Sequence, residues 1–200
     1  MRARTVVYDS GMIIALLHGK PVALVLHQAL RAAAHRPIII GPVLAQCWRP
    51  DPATVHSFSQ YLKDCTVPQA SGSVPPVRGS ASTVGCVACA RTFSLDSYKR
   101  AGAMLGKAAL PAKKRSDAVD ALVVITAALH GPAQILTSDP DDMLAYTRTL
   151  DHADITIANI RAERDGSDLR ASTRPACPQT AASGTLRFGT RRAADLDGLV

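Results

Sequence analysis

Short aliphatic runs alternate along this chain with segments of helical periodicity, and this alternation constrains the fold more than any other feature. The runs at residues 5–8, 38–40, 135–137 and 155–157 are rich in β-branched residues and predict buried strands. Helices are predicted at residues 12–17, 22–34, 42–48, 53–62, 96–106, 117–130 and 141–150. Strands that alternate with helices favour an α/β fold in which helices flank a central, mostly parallel, short-stranded sheet.

Composition divides the chain into ordered and low-order parts. The length of 200 residues suits one domain. Residues 67–85 are rich in Ser, Gly and Pro and carry no acidic side chain, so we predict a low-order insert over 67–92. Periodicity is lost again after residue 160. We therefore predict one domain over residues 1–160, interrupted by the insert, and a disordered tail over 161–200.

The charge and hydropathy of the chain favour a polyanionic partner and give no sign of a membrane. The formal net charge of +7 suits nucleic acid, but the excess is spread out, and the one long basic run is Lys113, Lys114 and Arg115. No apolar run approaches the roughly 20 residues needed to span a bilayer, and Asp9 interrupts the first one. We expect a cytoplasmic protein with reduced thiols and no membrane partner.

Aspartates follow two of the predicted strands and stand at the start of the most apolar helix. Asp9 ends the first strand, and Asp139 follows the strand at 135–137. Asp117 and Asp120 lie in the first turn of the helix at 117–130, which Ser116 is expected to cap. Ligands bind at the carboxyl ends of parallel strands, so these carboxylates are expected to converge. Converging carboxylates repel one another unless a cation neutralises them, which indicates a divalent metal site and phosphodiester chemistry.

Each aspartate alone also has a purely structural explanation. Acidic residues favour helix N-termini because of the helix dipole, which accounts for Asp117, and aspartate is common in the turn after a strand, which accounts for Asp9. Asp120 is harder to explain in this way, because apolar residues surround it in the helix and a buried carboxylate needs a partner. The combination of positions therefore carries the metal-site prediction.

The cysteines and histidines offer a different and sparser pattern. Cys86 and Cys89 have the spacing of half a zinc knuckle, but no second pair follows at the spacing of zinc ligands. A zinc-stabilised loop domain therefore rests on these two residues alone. The six histidines do not pair at ligand spacing, so we expect them on the surface or at helix ends. The single tryptophan, Trp48, is expected in the core or at a subunit contact.

Four short motifs each contain a candidate site residue. They are Val-Tyr-Asp-Ser-Gly at 7–11, Pro-Val-Leu-Ala-Gln-Cys-Trp-Arg at 42–49, Asp-Ala-Leu-Val-Val at 120–124 and Leu-Thr-Ser-Asp-Pro-Asp-Asp at 136–142. In this order and spacing they resemble the PIN-domain family, in particular the small VapC-like bacterial toxins, over residues 4–160 apart from the insert. The resemblance implies a PIN-like fold and a metal-dependent endoribonuclease, the toxin of a toxin–antitoxin system. It also implies an RNA substrate, a cognate antitoxin partner and a homodimer.

The resemblance further implies which residues hold Mg²⁺ or Mn²⁺. By position, Asp9 matches the first acidic residue of the family, Asp120 the third and Asp139 the fourth, while Asp117 and Asp142 are auxiliary ligand candidates. An RNA phosphodiester would then be attacked in line by a water that the metal activates. The candidate substrate-binding residues are Arg49, Lys113, Lys114, Arg115, Thr137 and Ser10.

Gln46 occupies the position of the family's second acidic residue and completes the predicted catalytic set. The only glutamate of the chain is Glu163, in the predicted tail, so no neighbour replaces the missing acid. An amide oxygen can bind a metal or orient a water, but it carries no charge and cannot act as a base. The alternative function is therefore a catalytically weak or inactive PIN-like module that binds RNA or a protein.

Overall fold

The computed structural model places helices around a small parallel sheet and describes residues 4–68, 86–110 and 114–161. This architecture confirms the α/β class. The elements follow one another as β1 (Thr5–Tyr8), α1 (Ser10–Leu17), α2 (Pro21–Ala32), α3 (Gly41–Cys47), α4 (Pro52–Leu62), α5 (Val87–Arg91), α6 (Leu95–Lys107), α7 (Ala118–Leu129), β2 (Ala133–Thr137), α8 (Pro140–Thr147) and β3 (Ile155–Asn159).

The three strands pair in parallel in the order β1-β2-β3, with Val7 opposite Ile135 and Ile135 opposite Ile157. The strand predicted at 38–40 contributes only isolated parallel bridges, from Ile38 to Val7 on one side and to Thr66 on the other. Ile40 is already the N-cap of α3, so the extended segment is too short to form a strand. The bridges nevertheless continue the parallel pairing beyond β1.

Two groups of helices cover the sheet. Helix α1 contacts α2, α3 and α4, helix α7 contacts α5, α6 and α8, and both α1 and α7 contact β1 and β2. All four residues of β1 are buried, as expected for a strand with both faces covered. Helix α7 is buried without interruption from Ala121 to Ala127, which explains why its sequence is apolar all round.

Two predictions about local structure need correction. The predicted low-order insert at 67–92 contains the short helix α5, after which Thr92 is buried, while its residues 69–85 lie outside the described ranges. The predicted tail beyond Arg161 also lies outside them. The N-cap of α7 is Asp117 and not Ser116, because the Asp117 carboxylate accepts a hydrogen bond of 2.7 Å from the backbone N–H of Val119.

The apolar helices are short. Within residues 4–68, 86–110 and 114–161, no single helix has both the length and the hydropathy needed to cross a bilayer. Helices α1 and α2 meet those criteria only when taken together, across a bend of 104°.

Candidate functional site

Five aspartates gather where β1 and β2 end and where α7 and α8 begin. Asp9 follows β1 directly and Asp139 lies two residues after β2, and they are the N-caps of α1 and α8. Asp117 caps α7, Asp120 lies in the first turn of α7, and Asp142 lies in the first turn of α8. The parallel pairing of β1 with β2 places their carboxyl ends side by side, which brings these helix starts to one edge of the sheet.

Asp9 is the most firmly held of the five. Its side chain is buried, and its Oδ2 atom accepts a hydrogen bond of 2.7 Å from the Thr137 hydroxyl. Its Oδ1 atom accepts from the backbone N–H of Ser10 and, at 3.1 Å, from the Ser10 hydroxyl. The Thr137 oxygen also accepts from the backbone N–H of Asp139 at 2.9 Å. Ser10 and Thr137, predicted as substrate-binding residues, therefore direct their hydroxyls to a carboxylate of the site.

Gly11 allows α1 to approach the loop after β2. A Cβ atom added at Gly11 would lie 2.9 Å from the backbone nitrogen of Ser138 and still closer to its hydroxyl. Backbone atoms cannot rotate away from such a contact, so a side chain here would push the two segments apart. The absence of a side chain at Gly11 thus permits the close approach of Asp9 to the segment that carries Asp139.

Asp120 has the most perturbed acidity of the site. Burial raises its pKa, and repulsion from Asp9, Asp117, Asp142 and Asp139 raises it further, to about 7. A carboxylate normally titrates near 4, so the surroundings of Asp120 disfavour a fifth negative charge. This raised pKa indicates that the five carboxyl groups are close enough to interact electrostatically.

Lys114 is the one basic side chain of the described residues that forms ion pairs with this cluster. Its ammonium group donates to Asp139 and, at 2.7 Å, to Asp142. Partial desolvation lowers the pKa of Lys114, but the hydrogen bonds to both carboxylates outweigh it and raise the pKa above its ordinary value. The predicted substrate-binding residue Lys114 is therefore a partner of the acidic cluster, and the predicted Lys113 lies outside the described ranges.

Gln46 lies in the site, as its position in the sequence predicts. Its side-chain amide donates a hydrogen bond of 3.1 Å to Oδ2 of Asp117. The backbone N–H of Asp117 donates in turn to the Tyr146 hydroxyl at 2.8 Å. Tyr146 cannot be recognised from the sequence, because a single tyrosine in an ordinary helical segment carries no motif. The pairing of Lys114 with the cluster is also hidden, because the basic run around it suggests an RNA contact.

A pocket of about 370 Å³ adjoins the acidic cluster through Gln46, which lines it together with Arg49 and His18. Arg49 is exposed, and its guanidinium donates to the backbone oxygens of Gln46 and Trp48 at 3.0 and 2.8 Å. Trp48 is 41% exposed and packs edge-on against Phe58, so it does not lie in the core, while the alternative of a subunit contact stays a prediction. Arg115 is also exposed.

The donor set of the cluster suits a hard divalent cation. All its candidate ligands are oxygens, which Mg²⁺ and Mn²⁺ prefer. Oδ1 of Asp142 is buried and accepts no hydrogen bond from any described residue, so it retains an unsatisfied lone pair. The carboxylates repel one another, and no three of their oxygens in the described residues lie mutually within 4.8 Å. Binding of a cation would therefore have to draw the side chains closer together.

A second group of potential metal ligands lies elsewhere in the fold. Cys86, Cys89 and His130 place their ligand atoms within 4.8 Å of one another. The prediction that histidines lie on the surface or at helix ends is wrong for His27, which is buried within α2, whereas the buried His35 lies just after the end of that helix. His130 does cap α7 but also contacts both cysteines.

Comparison with protein-family models, with curated proteins and with solved structures gives no match to this chain.

Proposed function

We propose that this protein is a metal-dependent endoribonuclease of PIN type that uses Mg²⁺ or Mn²⁺. The observation that carries the proposal is the gathering of five aspartates at the sheet edge where β1 and β2 end and α7 and α8 begin, with which the pKa of Asp120, raised to about 7 by burial and by its four neighbours, agrees. Natural proteins rarely gather five acidic groups unless a cation or a reaction makes use of them. Three of the four motifs that resemble the PIN family supply four of these acids, Asp9, Asp120, Asp139 and Asp142.

Asp9, Asp120 and Asp139 would hold the cation, with Asp117 and Asp142 as further oxygen donors. The cation would supply positive charge that lowers the pKa of the attacking water and stabilises the charge that develops on the phosphate. Asp9 can serve this role without rearrangement, because Ser10 and Thr137 already fix the orientation of its carboxylate. This preorganisation reduces the entropy lost when a ligand binds.

The basic and aromatic residues beside the cluster would position RNA. Arg49 lines the pocket next to Gln46 and can exchange its backbone hydrogen bonds for a phosphate. The exposed ring of Trp48 offers a surface on which an unpaired base can stack. Lys114 pairs with Asp139 and Asp142 and would turn to the phosphate once a cation neutralises those carboxylates.

The direct test is cleavage of single-stranded and structured RNAs with Mg²⁺ or Mn²⁺ and with a chelator. We expect metal-dependent cleavage by the wild type and a loss of at least about 100-fold in Asp9→Asn, since Asp9 is a central oxygen donor. Asp96→Asn is the matched control, because Asp96 is an exposed acid in the first turn of α6, far from the cluster in sequence. Equal cleavage by Asp9→Asn and wild type would contradict the proposal.

Gln46 motivates a second candidate function, a catalytically weak module that binds RNA or a protein. The amide of Gln46 donates a hydrogen bond to Asp117. The PIN nucleases that this chain resembles have an acidic residue at this position, which would accept hydrogen bonds and carry a negative charge. Gln46→Glu discriminates between the two functions. A large gain in cleavage would support a weakened natural site, whereas unchanged cleavage would support an active site that works with glutamine.

The proposed role as a toxin is tested separately from the chemistry. We expect expression of the wild type to arrest bacterial growth and Asp9→Asn to leave growth normal. A cognate antitoxin is then a protein whose co-expression restores growth and which copurifies with the chain. Light scattering of the purified protein tests the proposed homodimer.

A further inference from the structure

Cys86 and Cys89 meet His130 at the junction of α5 and α7, away from the helix starts that carry the aspartates. Cys86 is the N-cap of α5 and Cys89 lies within that helix, while His130 is the C-cap of α7. The Sγ atoms of Cys89 and Cys86 lie 3.3 and 4.0 Å from Nε2 of His130. Three side chains with soft ligand atoms thus converge on one point from two helices.

We propose that Cys86, Cys89 and His130 bind a zinc ion that fastens α5 to the C-terminal end of α7. A tetrahedral zinc ion with ordinary bond lengths holds its sulfur and nitrogen ligands about 3.5 Å apart. The two observed distances lie on either side of this value, and all three ligand atoms are within 4.8 Å of one another. Only small side-chain adjustments are therefore needed to admit the ion.

The hydrogen bonding of His130 prepares it as a ligand. Its Nδ1 atom lies 2.7 Å from the backbone oxygen of Thr126, and a carbonyl can only accept, so Nδ1 carries the proton. The lone pair of Nε2 then faces the two sulfurs, which is the arrangement that orients histidine ligands in zinc sites.

The charges of this site balance. Zinc binding releases the thiol protons of Cys86 and Cys89, and two thiolates neutralise the ion while His130 stays uncharged. Cys89 is completely buried, a position where a neutral assembly is tolerated far better than an isolated charge. Three protein ligands leave one tetrahedral position for a water.

The consequence is a crosslink inside the second half of the fold. Cys89 and His130 are 41 residues apart in sequence, and α6 lies between them. An ion that binds these ligands only in the folded chain adds its binding free energy to the stability of the fold. It also fixes the short helix α5 against α7, the helix whose other end carries Asp117 and Asp120.

The experiment measures zinc in the full chain purified under reducing conditions without chelator. We expect one zinc per chain by mass spectrometry and, after cobalt exchange, the thiolate charge-transfer and tetrahedral d–d absorption bands. Both signals should be lost in Cys89→Ser and in His130→Gln. Cys65→Ala is the matched control, because Cys65 is an equally buried cysteine outside the group and its variant should retain zinc.

Two results would overturn the proposal, and neither can be explained by a variant that fails to fold. One is a wild-type chain that purifies without zinc and develops no cobalt bands on titration. The other is full zinc content in a folded His130→Gln variant. The ribonuclease proposal is judged independently, because Asp120→Asn should keep one zinc while losing Mg²⁺-dependent cleavage. Chelation of zinc should lower the melting temperature of the wild type and leave that of His130→Gln unchanged.

Discussion

Replacing Asp120 with asparagine should stabilise the protein when no divalent cation is present. The pKa of Asp120 is about 7 in the folded chain, against an ordinary value of 3.8. Since a tenfold change in a dissociation constant corresponds to about 1.4 kcal/mol, ionised Asp120 costs the folded state up to roughly 4 kcal/mol. Asparagine keeps the shape of the side chain and removes the charge, so most of this cost should disappear.

The stability gained by Asp120→Asn should increase with pH. A carboxyl group with a raised folded pKa binds more protons in the folded state than in the unfolded state between pH 4 and 7. The free energy of unfolding therefore falls as the pH rises through this window and levels off above the folded pKa. The advantage of Asp120→Asn over the wild type should be small at pH 4, and greater by roughly 2 kcal/mol at pH 7 than at pH 5.

The assay is urea denaturation of both proteins at pH 5, 6, 7 and 8 in buffer free of Mg²⁺ and Mn²⁺. Asp96→Asn is the control and should lose about 0.3–1 kcal/mol, because an exposed acid in the first turn of α6 interacts favourably with the helix dipole. Added Mg²⁺ should stabilise the wild type and have little effect on Asp120→Asn. If Asp120→Asn is no more stable than the wild type at pH 7, the claim that the neighbouring carboxylates repel ionised Asp120 is refuted.

Two further substitutions test how the site is assembled. Gly11→Ala should destabilise the fold by about 1–3 kcal/mol in urea denaturation, because its methyl group meets the backbone of Ser138. The control Gly102→Ala, in an open position within α6, should stabilise the fold by up to about 1 kcal/mol. Equal effects of the two substitutions would contradict the close approach of α1 to the loop after β2. Thr137→Val should weaken Mg²⁺ binding measured by calorimetry, because Asp9 loses its 2.7 Å hydrogen bond, while Thr137→Ser should retain it, and unchanged affinity in the valine variant would argue against this role.

The fold class and the acidic edge follow from sequence because both depend on local patterns. Aliphatic runs followed by aspartates place carboxylates at strand ends in any parallel sheet, and the structure brings Asp9 and Asp139 together in this way, with Asp120 beside them at the start of α7. Gln46 also lies where the motif order predicts, beside Asp117. The predicted strand at 38–40 fails for a local reason too, since α3 begins at Gly41 and leaves too few residues for a ladder.

The remaining features depend on contacts between residues distant in sequence, which periodicity does not encode. The ring of His130 reaches Cys89 across 41 residues, so no local spacing rule for zinc ligands could connect them. Lys114 pairs with Asp142 across 28 residues, although its sequence context suggests a solvent-exposed basic run. In both cases the partner is fixed by how the helices around α7 pack.

The hydrogen bond between Thr137 and Asp9 joins residues 128 positions apart in the chain. During translation the first carboxylate of the proposed site emerges early, but its orienting hydroxyl and its neighbours Asp139 and Asp142 emerge only after most of the domain has been synthesised. A nascent or truncated chain that ends before β2 therefore has no complete site, however well its first helices fold. For a nuclease of the kind proposed, this order of synthesis delays activity until β2 and α8 have been synthesised.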